Sequence, residues 1–403
     1  MRKPVITIFY QFDPWNPTIG GIQSIVRYFL KYAPPEFALR FVGTTASSDL
    51  AIGKWHVKEL EGRELLFMPL LFLENDNIKQ RVPTSVRYTQ ALMTRQLDSD
   101  FMHFHRIEPT LVTRSWSGEK TLFVHNDIYQ QMSSNDDHSA ISWRRFPQAY
   151  FFLEQSLVKQ FDQIMSCNSD SMKLYQERYP DIASRIRYIR NIFDDQVFYP
   201  LSLLEREQAR QSFARQLQLA DDTQFILFAG RLQPQKDPLL LIDSIAALNQ
   251  PNVHLLVVGD GDLMKQVQSR IAEQNLAQQV TLLGALEQRK LADLHRLASV
   301  CVLTSIYEGL PVVALESLAC GTPLVTTRCG ETPNLLTVDS GIICEERSPE
   351  VIAQALRQVL NHPDHYTACV EVVQPYSARH VVHSTYASML HRWEQRTSAS
   401  AVA

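Results

Sequence analysis

The stretch Ser305–Thr327, SIYEGLPVVALESLACGTPLVTT, contains in succession the signals of a loop, a helix and a strand. The apolar run before it, Val300–Thr304, is typical of a buried parallel strand. Pro311 suits the first position of a helix, and Gly321 suits the residue just after its end. The pattern therefore predicts a strand, a crossover helix from about Pro311 to Cys320 and a second strand. The loop lies at the carboxyl end of the first strand.

Two carboxylates of this unit, Glu308 and Glu316, are candidates for a ligand site. Glu308 stands beside a helix amino terminus, whose N–H groups favour an anion. A carboxylate on the apolar face around Glu316 is costly unless something pairs with it. Glu316 is therefore either a structural ion pair or cap, or an acceptor for ligand hydroxyls. Its helical neighbours three and four residues away are Val312, Val313, Ala319 and Cys320.

Length and composition are those of an ordinary protein with two domains. A chain of 403 residues can form two cores, and 45% hydrophobic and 20% charged residues are usual values. The net charge of -4 argues against nucleic acid as a partner. The sequence shows neither a signal peptide nor a stretch of membrane-span length, so we expect a cytoplasmic protein. The six cysteines lack CxxC spacing and fall in apolar segments, which predicts buried thiols.

The first half contains two candidate ligand loops, each after a predicted strand. Val5–Tyr10 is followed by Gly20 and Gly21, and a glycine pair before a helix lets backbone approach a ligand closely. Leu122–Val124 is followed by His125 at the carboxyl end of the strand, where ligand-facing groups belong in α/β sheets. A histidine held by loop hydrogen bonds is the alternative.

Three short patterns of the chain resemble metal sites only superficially. His103 and His105 share one side of a predicted strand, but no cluster of carboxylates or thiols completes a coordination shell. Residues 98–100 and 260–262 match a D-x-D pattern, which arises often by chance. The second match is more typical of a glycine turn followed by a helix cap.

Basic residues of the first half form a possible contact with anionic lipid, or simply a solvated face. They are Lys79, Arg81, Arg87, Arg95, Arg144 and Arg145.

The second half begins with the strand Phe225–Ala229, followed by Arg231 and Lys236. Asp237 suits the cap of the next helix and Pro238 its first position. Two cations and the N–H groups of a helix amino terminus form a site for a diphosphate. Two exposed loop charges are the alternative. Because strands and helices alternate throughout, both halves are predicted to be doubly wound parallel sheets.

Three motifs together resemble the large retaining glycosyltransferase family 4 of the GT-B fold, also described as glycosyl transferases group 1. They are Gly230-Arg231-Leu232 followed by Lys236, VVGDGDL at Val257–Leu263, and Glu308 and Glu316 separated by seven residues. The segment Arg190–Pro200 resembles the family's hinge, with Ile192 in place of its glycine. The family includes bacterial mannosyl- and glucosyltransferases of glycolipid and polysaccharide assembly.

The resemblance implies an α/β protein of the GT-B class, with two doubly wound Rossmann-like domains facing each other across a cleft. Residues 1–195 would form the acceptor side and residues 196–375 the nucleotide-sugar donor side. Residues 376–403 would form a helix that crosses back to the first domain, followed by a frayed tail, TSASAVA.

The resemblance also implies roles for individual residues. Arg231 and Lys236 would hold the donor diphosphate, Glu316 the ribose hydroxyls, and Glu308 would lie beside the donor sugar. His125 matches a histidine that approaches the sugar and the acceptor. The implied catalytic residues are Glu308, His125, Arg231 and Lys236. The implied donor-binding residues are Gly20, Gly21, Arg231, Lys236, Gly259, Glu308, Gly309, Leu310, Pro311, Val312 and Glu316.

The expected function is transfer of a hexose, with retention, from a UDP- or GDP-sugar to a saccharide or lipid-linked saccharide. The product would belong to cell-surface polysaccharide or glycolipid. Arg231, Lys236 and helix amino termini can stabilise the departing diphosphate, so neither a metal nor another cofactor is expected. The alternatives are a nucleotide-sugar epimerase of the same fold and a non-catalytic glycosyltransferase-like partner subunit. Contact with the inner face of the membrane is expected, and contact with nucleic acid is not.

Overall fold

The computed structural model describes residues 2–16, 21–74, 81–125 and 147–402, without the side chains of residues 147 and 399–402. Contacts within the chain divide it into two compact units. The first unit contains the described residues up to 125, residues 147–190 and the residues from 378 onward. The second unit is Asn191–Ser377.

The first unit is built on an eight-stranded sheet. Its strands are β1 (Val5–Phe9), β2 (Ala38–Thr45), β3 (His56–Leu60), β4 (Arg63–Phe72), β5 (Phe101–Phe104), β6 (Glu119–Val124), β7 (Gln163–Ser166) and β8 (Ile186–Tyr188). Their order is β3-β4-β2-β1-β5-β6-β7-β8. The pairs are parallel except β3 with β4, which are antiparallel.

The antiparallel edge differs from the expected all-parallel sheet, and a tight turn explains it. Glu61 has φ 49° and Gly62 has φ 81°. Two successive residues with positive φ form the two-residue hairpin turn that matches the twist of antiparallel strands. The chain therefore returns directly from β3 into β4 instead of crossing over through a helix.

Helices pack around this sheet, and the last helix of the chain belongs to it. Tyr386 donates a hydrogen bond to the carbonyl of Phe29 at 3.0 Å, and Arg392 pairs with the buried Glu119 at 2.6 Å. The last helix continues to Val402, through the segment expected to fray. The α-helices are Gly21–Lys31, Thr84–Met93, Pro147–Leu157, Ser169–Arg178 and Ala378–Val402, with 3-10 helices at Glu108–Val112, Val158–Gln160 and Pro180–Arg185.

The second unit is built on a six-stranded parallel sheet. Its strands are β9 (Gln224–Ala229), β10 (Val253–Val258), β11 (Val280–Gly284), β12 (Val300–Leu303), β13 (Leu324–Thr327) and β14 (Gly341–Cys344). The order β11-β10-β9-β12-β13-β14 reverses direction between β9 and β12. In such doubly wound sheets, ligands bind beyond the carboxyl ends of the two strands at the reversal.

The predicted central helix and strand of the second unit are confirmed. The helix is Val312–Ala319, with Pro311 and Cys320 as its flanking residues, and the strand is β13. All six cysteines are free thiols and buried, as predicted. The α-helices of this unit are Leu203–Gln216, Pro238–Leu248, Met264–Glu273, Gln288–Leu297, Val312–Ala319, Thr332–Leu335, Pro349–Asn361 and Cys369–Val373, with 3-10 helices at Pro234–Lys236, Pro363–His365 and Gln374–Tyr376.

Candidate functional site

Two loops that follow β9 and β12 are joined at the reversal point of the second sheet. Thr304, directly after β12, donates from its hydroxyl to the carbonyl oxygens of Lys236 at 2.8 Å and Asp237 at 3.0 Å. The Asp237 side chain caps the next helix by accepting from the Leu240 N–H at 3.2 Å, as predicted. The backbone that carries Lys236 is therefore held from both sides.

Lys236 and Glu308 form a direct ion pair in this place. The ammonium of Lys236 contacts one carboxylate oxygen of Glu308, and the side chains are only 15% and 8% exposed. The same oxygen accepts from the Ser305 hydroxyl at 2.8 Å. Gln235 donates to the carbonyl of Tyr307 at 3.0 Å, which fastens the two loops again. The pair concentrates charge in a largely water-excluded place, where an anionic ligand would compete with Glu308 for the ammonium.

Arg231 lies in the same loop as Lys236 but in a different environment. Its side chain is exposed and has no hydrogen-bond or ion-pair partner among the described residues. The neighbouring Gly230 and Leu232 are tied to the end of β10, because Gly230 N–H donates to Val258 at 2.9 Å and Leu232 N–H donates to Asp260 at 2.9 Å. A fixed backbone thus presents an unneutralised guanidinium.

Gly259 is required by this backbone contact. It has φ +135°, and a Cβ there would lie 1.9 Å from the carbonyl oxygen of Gly230. The adjacent Asp260 accepts from the Gly261 N–H at 2.7 Å, in agreement with the predicted turn. The helix Met264–Glu273 begins after Leu263, whose own side chain makes no cap. The Leu263 N–H donates to the Leu232 carbonyl, so backbone also holds this turn.

Glu316 lies within the helix Val312–Ala319 and is 5% exposed. Burial raises the pKa of its carboxyl group to about 8. Among the described residues it has no hydrogen-bond or ion-pair partner, so this part of the chain gives no support to a structural ion pair. The carboxyl oxygens remain available to hydrogen-bond donors from outside this part of the chain.

The loop from Glu308 to the start of this helix is supported by residues that sequence reasoning did not assign to the site. The Asn191 amide donates to the Leu310 carbonyl at 2.6 Å, and the Glu331 N–H donates to the Gly309 carbonyl at 2.8 Å. Gly330 has φ +52°, and a Cβ there would lie 2.0 Å from the Gly309 oxygen. Gly330, three residues after the end of β13, is a signal that the sequence does contain. The contact of Asn191 across 119 residues was not.

The remaining predicted residues are distributed as follows. Pro311 and Val312 mark the start of the helix that carries Glu316. Gly21 begins the helix Gly21–Lys31 of the first unit. Among the predicted site residues of the second unit, the structure brings the side chains of Lys236 and Glu308 into direct contact. Gly20, Lys79, Arg144 and Arg145 lie outside the described residues.

His125 belongs to the first unit, directly after β6. Its Nε2 lies 2.8 Å from Nδ1 of His105, and the two rings are nearly parallel, at 13°. Burial lowers the pKa of His125 to about 3, and the positive charge of Arg106 acts in the same direction. The ring is therefore neutral at physiological pH.

Metal-binding patterns of the sequence have structural roles here. Asp100 holds both guanidinium nitrogens of Arg2, at 2.6 and 2.7 Å, and accepts from the Val5 N–H at 2.8 Å. Across the described ranges, no group of three or more His, Cys, Asp or Glu side chains could hold a metal ion. Within the same ranges, no helix has the length and apolar character to cross a membrane.

Comparison with known sequences finds a family match within the second unit. Residues 209–374 match the family model described as glycosyl transferases group 1. A D-inositol 3-phosphate glycosyltransferase of Geodermatophilus obscurus is 29% identical over 233 residues, 55% of this chain and 50% of the relative. A GDP-mannose-dependent alpha-(1-6)-phosphatidylinositol dimannoside mannosyltransferase of Mycobacterium tuberculosis is 33% identical over 151 residues, 36% of this chain and 38% of the relative. The chain thus spans half or less of the length of these two relatives.

Comparison with solved structures extends over both units. Sucrose-phosphate synthase of Thermosynechococcus elongatus gives a TM-score of 0.73 at 18% identity, covering 99% of this chain and 100% of that one. The Anabaena protein HepE, solved in complex with UDP and glucose, gives 0.71 at 15% identity, covering 97% and 100%. WaaG, a glycosyltransferase involved in lipopolysaccharide biosynthesis, gives 0.68 at 15% identity, covering 96% and 99%.

The fold is therefore GT-B, with two Rossmann-like α/β domains. Within this fold, residues 209–374 match the family model of the glycosyl transferases group 1.

Proposed function

We propose that the protein is a retaining glycosyltransferase that moves a hexose from a UDP- or GDP-sugar to a saccharide or lipid-linked saccharide. The observation that carries this proposal is the ion pair of Lys236 and Glu308 at the sheet reversal, on loops that also carry Arg231, for which the described residues offer no ion-pair partner. All three residues lie in the segment that matches group 1. Relatives named for GDP-mannose and a neighbour solved with UDP support a nucleoside diphosphate as the donor's leaving group.

The charges of the site suit departure of a diphosphate. Breaking the anomeric bond leaves negative charge on the diphosphate, so groups that bind this charge lower the barrier. Arg231 and Lys236 supply two cations, and the first turn of Val312–Ala319 supplies N–H groups. Glu316 is suited to accept hydrogen bonds from ribose hydroxyls, and these bonds would satisfy its buried carboxyl group. In this proposal the donor needs no metal ion and no other cofactor.

Retention follows from a reaction on one face of the sugar. The bond from the anomeric carbon to the phosphate oxygen breaks, and the acceptor oxygen bonds to the same face of that carbon. The acceptor's proton passes to an oxygen of the leaving phosphate. Glu308 remains paired with Lys236 and close to the donor sugar, so no covalent intermediate is required. A product of inverted anomeric configuration would overturn this step.

We also propose that the first unit contacts the cytoplasmic face of an anionic membrane, where a lipid-linked acceptor of cell-surface glycolipid or polysaccharide would lie. Val86 and Met93, seven residues apart on one helix, are 44% and 66% exposed. Arg81 precedes both residues and Arg87 lies between them in the chain, and neither arginine has an ion-pair partner among the described residues. Arg95 is not part of this surface, because it donates to the Gly53 carbonyl at 3.0 Å.

The first test is a proton NMR time course of the protein with a panel of uridine and guanosine diphosphate sugars, in chelator and without added acceptor. Slow release of free sugar as the retained anomer from one donor would support donor, stereochemistry and metal independence together. Lys236→Ala is the control for site-specific turnover. Formation of an epimeric nucleotide sugar would favour the epimerase, and a complete lack of donor contact would favour a non-catalytic partner. Contact without turnover calls for the same experiment with a polyprenyl-linked saccharide added.

A further inference from the structure

Two histidines of the first unit share one hydrogen bond at the carboxyl edge of its sheet. Nδ1 of His105, just after β5, lies 2.8 Å from Nε2 of His125, just after β6. The ring of His105 stacks on Phe123, with centroids 4.7 Å apart and an interplanar angle of 11°. This packing fixes the plane of the His105 ring, and the 2.8 Å contact identifies Nδ1 as the nitrogen that faces His125.

Both rings are neutral, because burial lowers the pKa of His105 well below its ordinary value and that of His125 to about 3. A neutral imidazole carries one ring proton, on either Nδ1 or Nε2. One proton therefore occupies the hydrogen bond between the two rings. Either His105 or His125 can be its donor.

The other ring nitrogen of His105, Nε2, distinguishes between His105 as the donor and His105 as the acceptor. Its Nε2 is buried and has no hydrogen-bond partner among the described residues. If His105 were the acceptor, this Nε2 would carry a buried N–H without an acceptor. If His105 is the donor, Nε2 holds only a lone pair. Buried N–H groups without acceptors are rarer than acceptors left unused, which favours His105 as the donor.

We propose that His105 is a positioning residue that holds His125 in the tautomer protonated on Nδ1. His125 then presents a hydrogen-bond donor, and not a base, to a ligand oxygen. In this arrangement His105 donates to His125 and His125 donates to the ligand, and consecutive hydrogen bonds of this kind polarise and strengthen one another. The assignment of the ligand oxygen to a sugar rests on the proposed function.

The test is to observe the ring protons directly. In protein with nitrogen-15 histidine, long-range proton–nitrogen correlation spectra at neutral pH show which ring nitrogen is protonated. We expect the His125 proton on Nδ1, with signals assigned by their loss in His125→Gln. His105→Phe keeps an aromatic ring against Phe123 but removes the donor, so we expect the Nε2 resonance of His125 to move away from that of a hydrogen-bonded acceptor. The matched control is His103→Phe, two residues earlier, which should leave the His125 spectrum unchanged.

A His125 proton on Nε2 in the wild-type protein would overturn the proposal, and this observation requires no variant to fold. An unchanged His125 spectrum in folded His105→Phe would overturn it as well. If the proposed function holds, His105→Phe should also lower kcat about tenfold with little change in donor KM. Because the spectra do not depend on turnover, failure of the proposed function would leave the tautomer result standing.

Discussion

The pair of Lys236 and Glu308 combines a role in the site with limited exposure. Glu308→Gln keeps the shape of the side chain but removes its charge, and Lys236→Ala removes the cation. We expect each change to lower kcat/KM at least about 100-fold, because charge aimed at the reacting centre is lost. Lys236→Ala should also cost about 1–3 kcal/mol, since it leaves Glu308 with Ser305 and Gln235 as its neutral partners. Kinetics and thermal unfolding of both variants measure these effects.

The control for this prediction is the exposed pair of Arg328 and Glu345 in the same unit, whose side chains are 51% and 65% exposed. Exposed pairs contribute little to stability. Arg328→Ala and Glu345→Gln should therefore leave both turnover and unfolding nearly unchanged. Wild-type turnover in Glu308→Gln would remove Glu308 from the catalytic machinery.

Glu316 predicts a pH dependence of stability. Burial raises its pKa from the ordinary 4.5 to about 8 in the folded protein. Between these values the folded protein holds a proton that the unfolded chain has lost, so the free energy of unfolding falls as the pH rises. Glu316→Gln removes this titration. We expect the variant to be more stable than wild type at about pH 9, by on the order of 1–3 kcal/mol, and nearly equal at about pH 5.

Denaturant unfolding at both pH values, followed by circular dichroism, measures this difference, with Glu345→Gln as the exposed control. The same difference in the free energy of unfolding between wild type and Glu316→Gln at both pH values would contradict a raised pKa of Glu316. At about pH 9, where wild-type Glu316 is ionised, the variant should also bind a nucleotide-sugar donor more weakly, because an amide accepts hydrogen bonds less well than a carboxylate.

At the scale of elements, we expect the helix Thr84–Met93, together with Arg81 just before it, to bind anionic vesicles. Each cation near such a surface contributes about 1 kcal/mol, so Arg81→Gln with Arg87→Gln should weaken binding about thirtyfold. Sedimentation with phosphatidylglycerol vesicles at low salt measures this. A control with the same charge change at two exposed sites is Arg379→Gln with Lys265→Gln. Equal loss in both double variants would indicate net charge alone, and no binding by wild type would remove the membrane contact.

The elements themselves could be predicted where a local signal marks both ends. Pro311 and Gly321 bound the central helix because proline fixes φ and glycine tolerates positive φ, here +74°. The edge strand β3 was missed because its sequence carries little apolar signal. Only its last residue, Leu60, is buried, and the half-exposed residues His56 and Lys58 are polar.

At the scale of the whole molecule, alternation of strands and helices predicts two α/β units, since each crossover must return to a parallel strand. The order of the strands is not contained in that alternation. β9 and β12 are neighbours although two strands separate them along the chain. That neighbour relation is what places Lys236 beside Glu308, 72 residues later.

The sequence by itself therefore determined the class of the fold, the central helix and the residue types of the candidate site, because these depend on local sterics and on spacing within one unit. Only the tertiary structure decided which of those residues meet. It paired Lys236 with Glu308, left Glu316 without a partner among the described residues, and joined His105 to His125. The physical reason is that such contacts are made by packing of strands that are distant in the chain, and short-range sequence signals do not specify that packing.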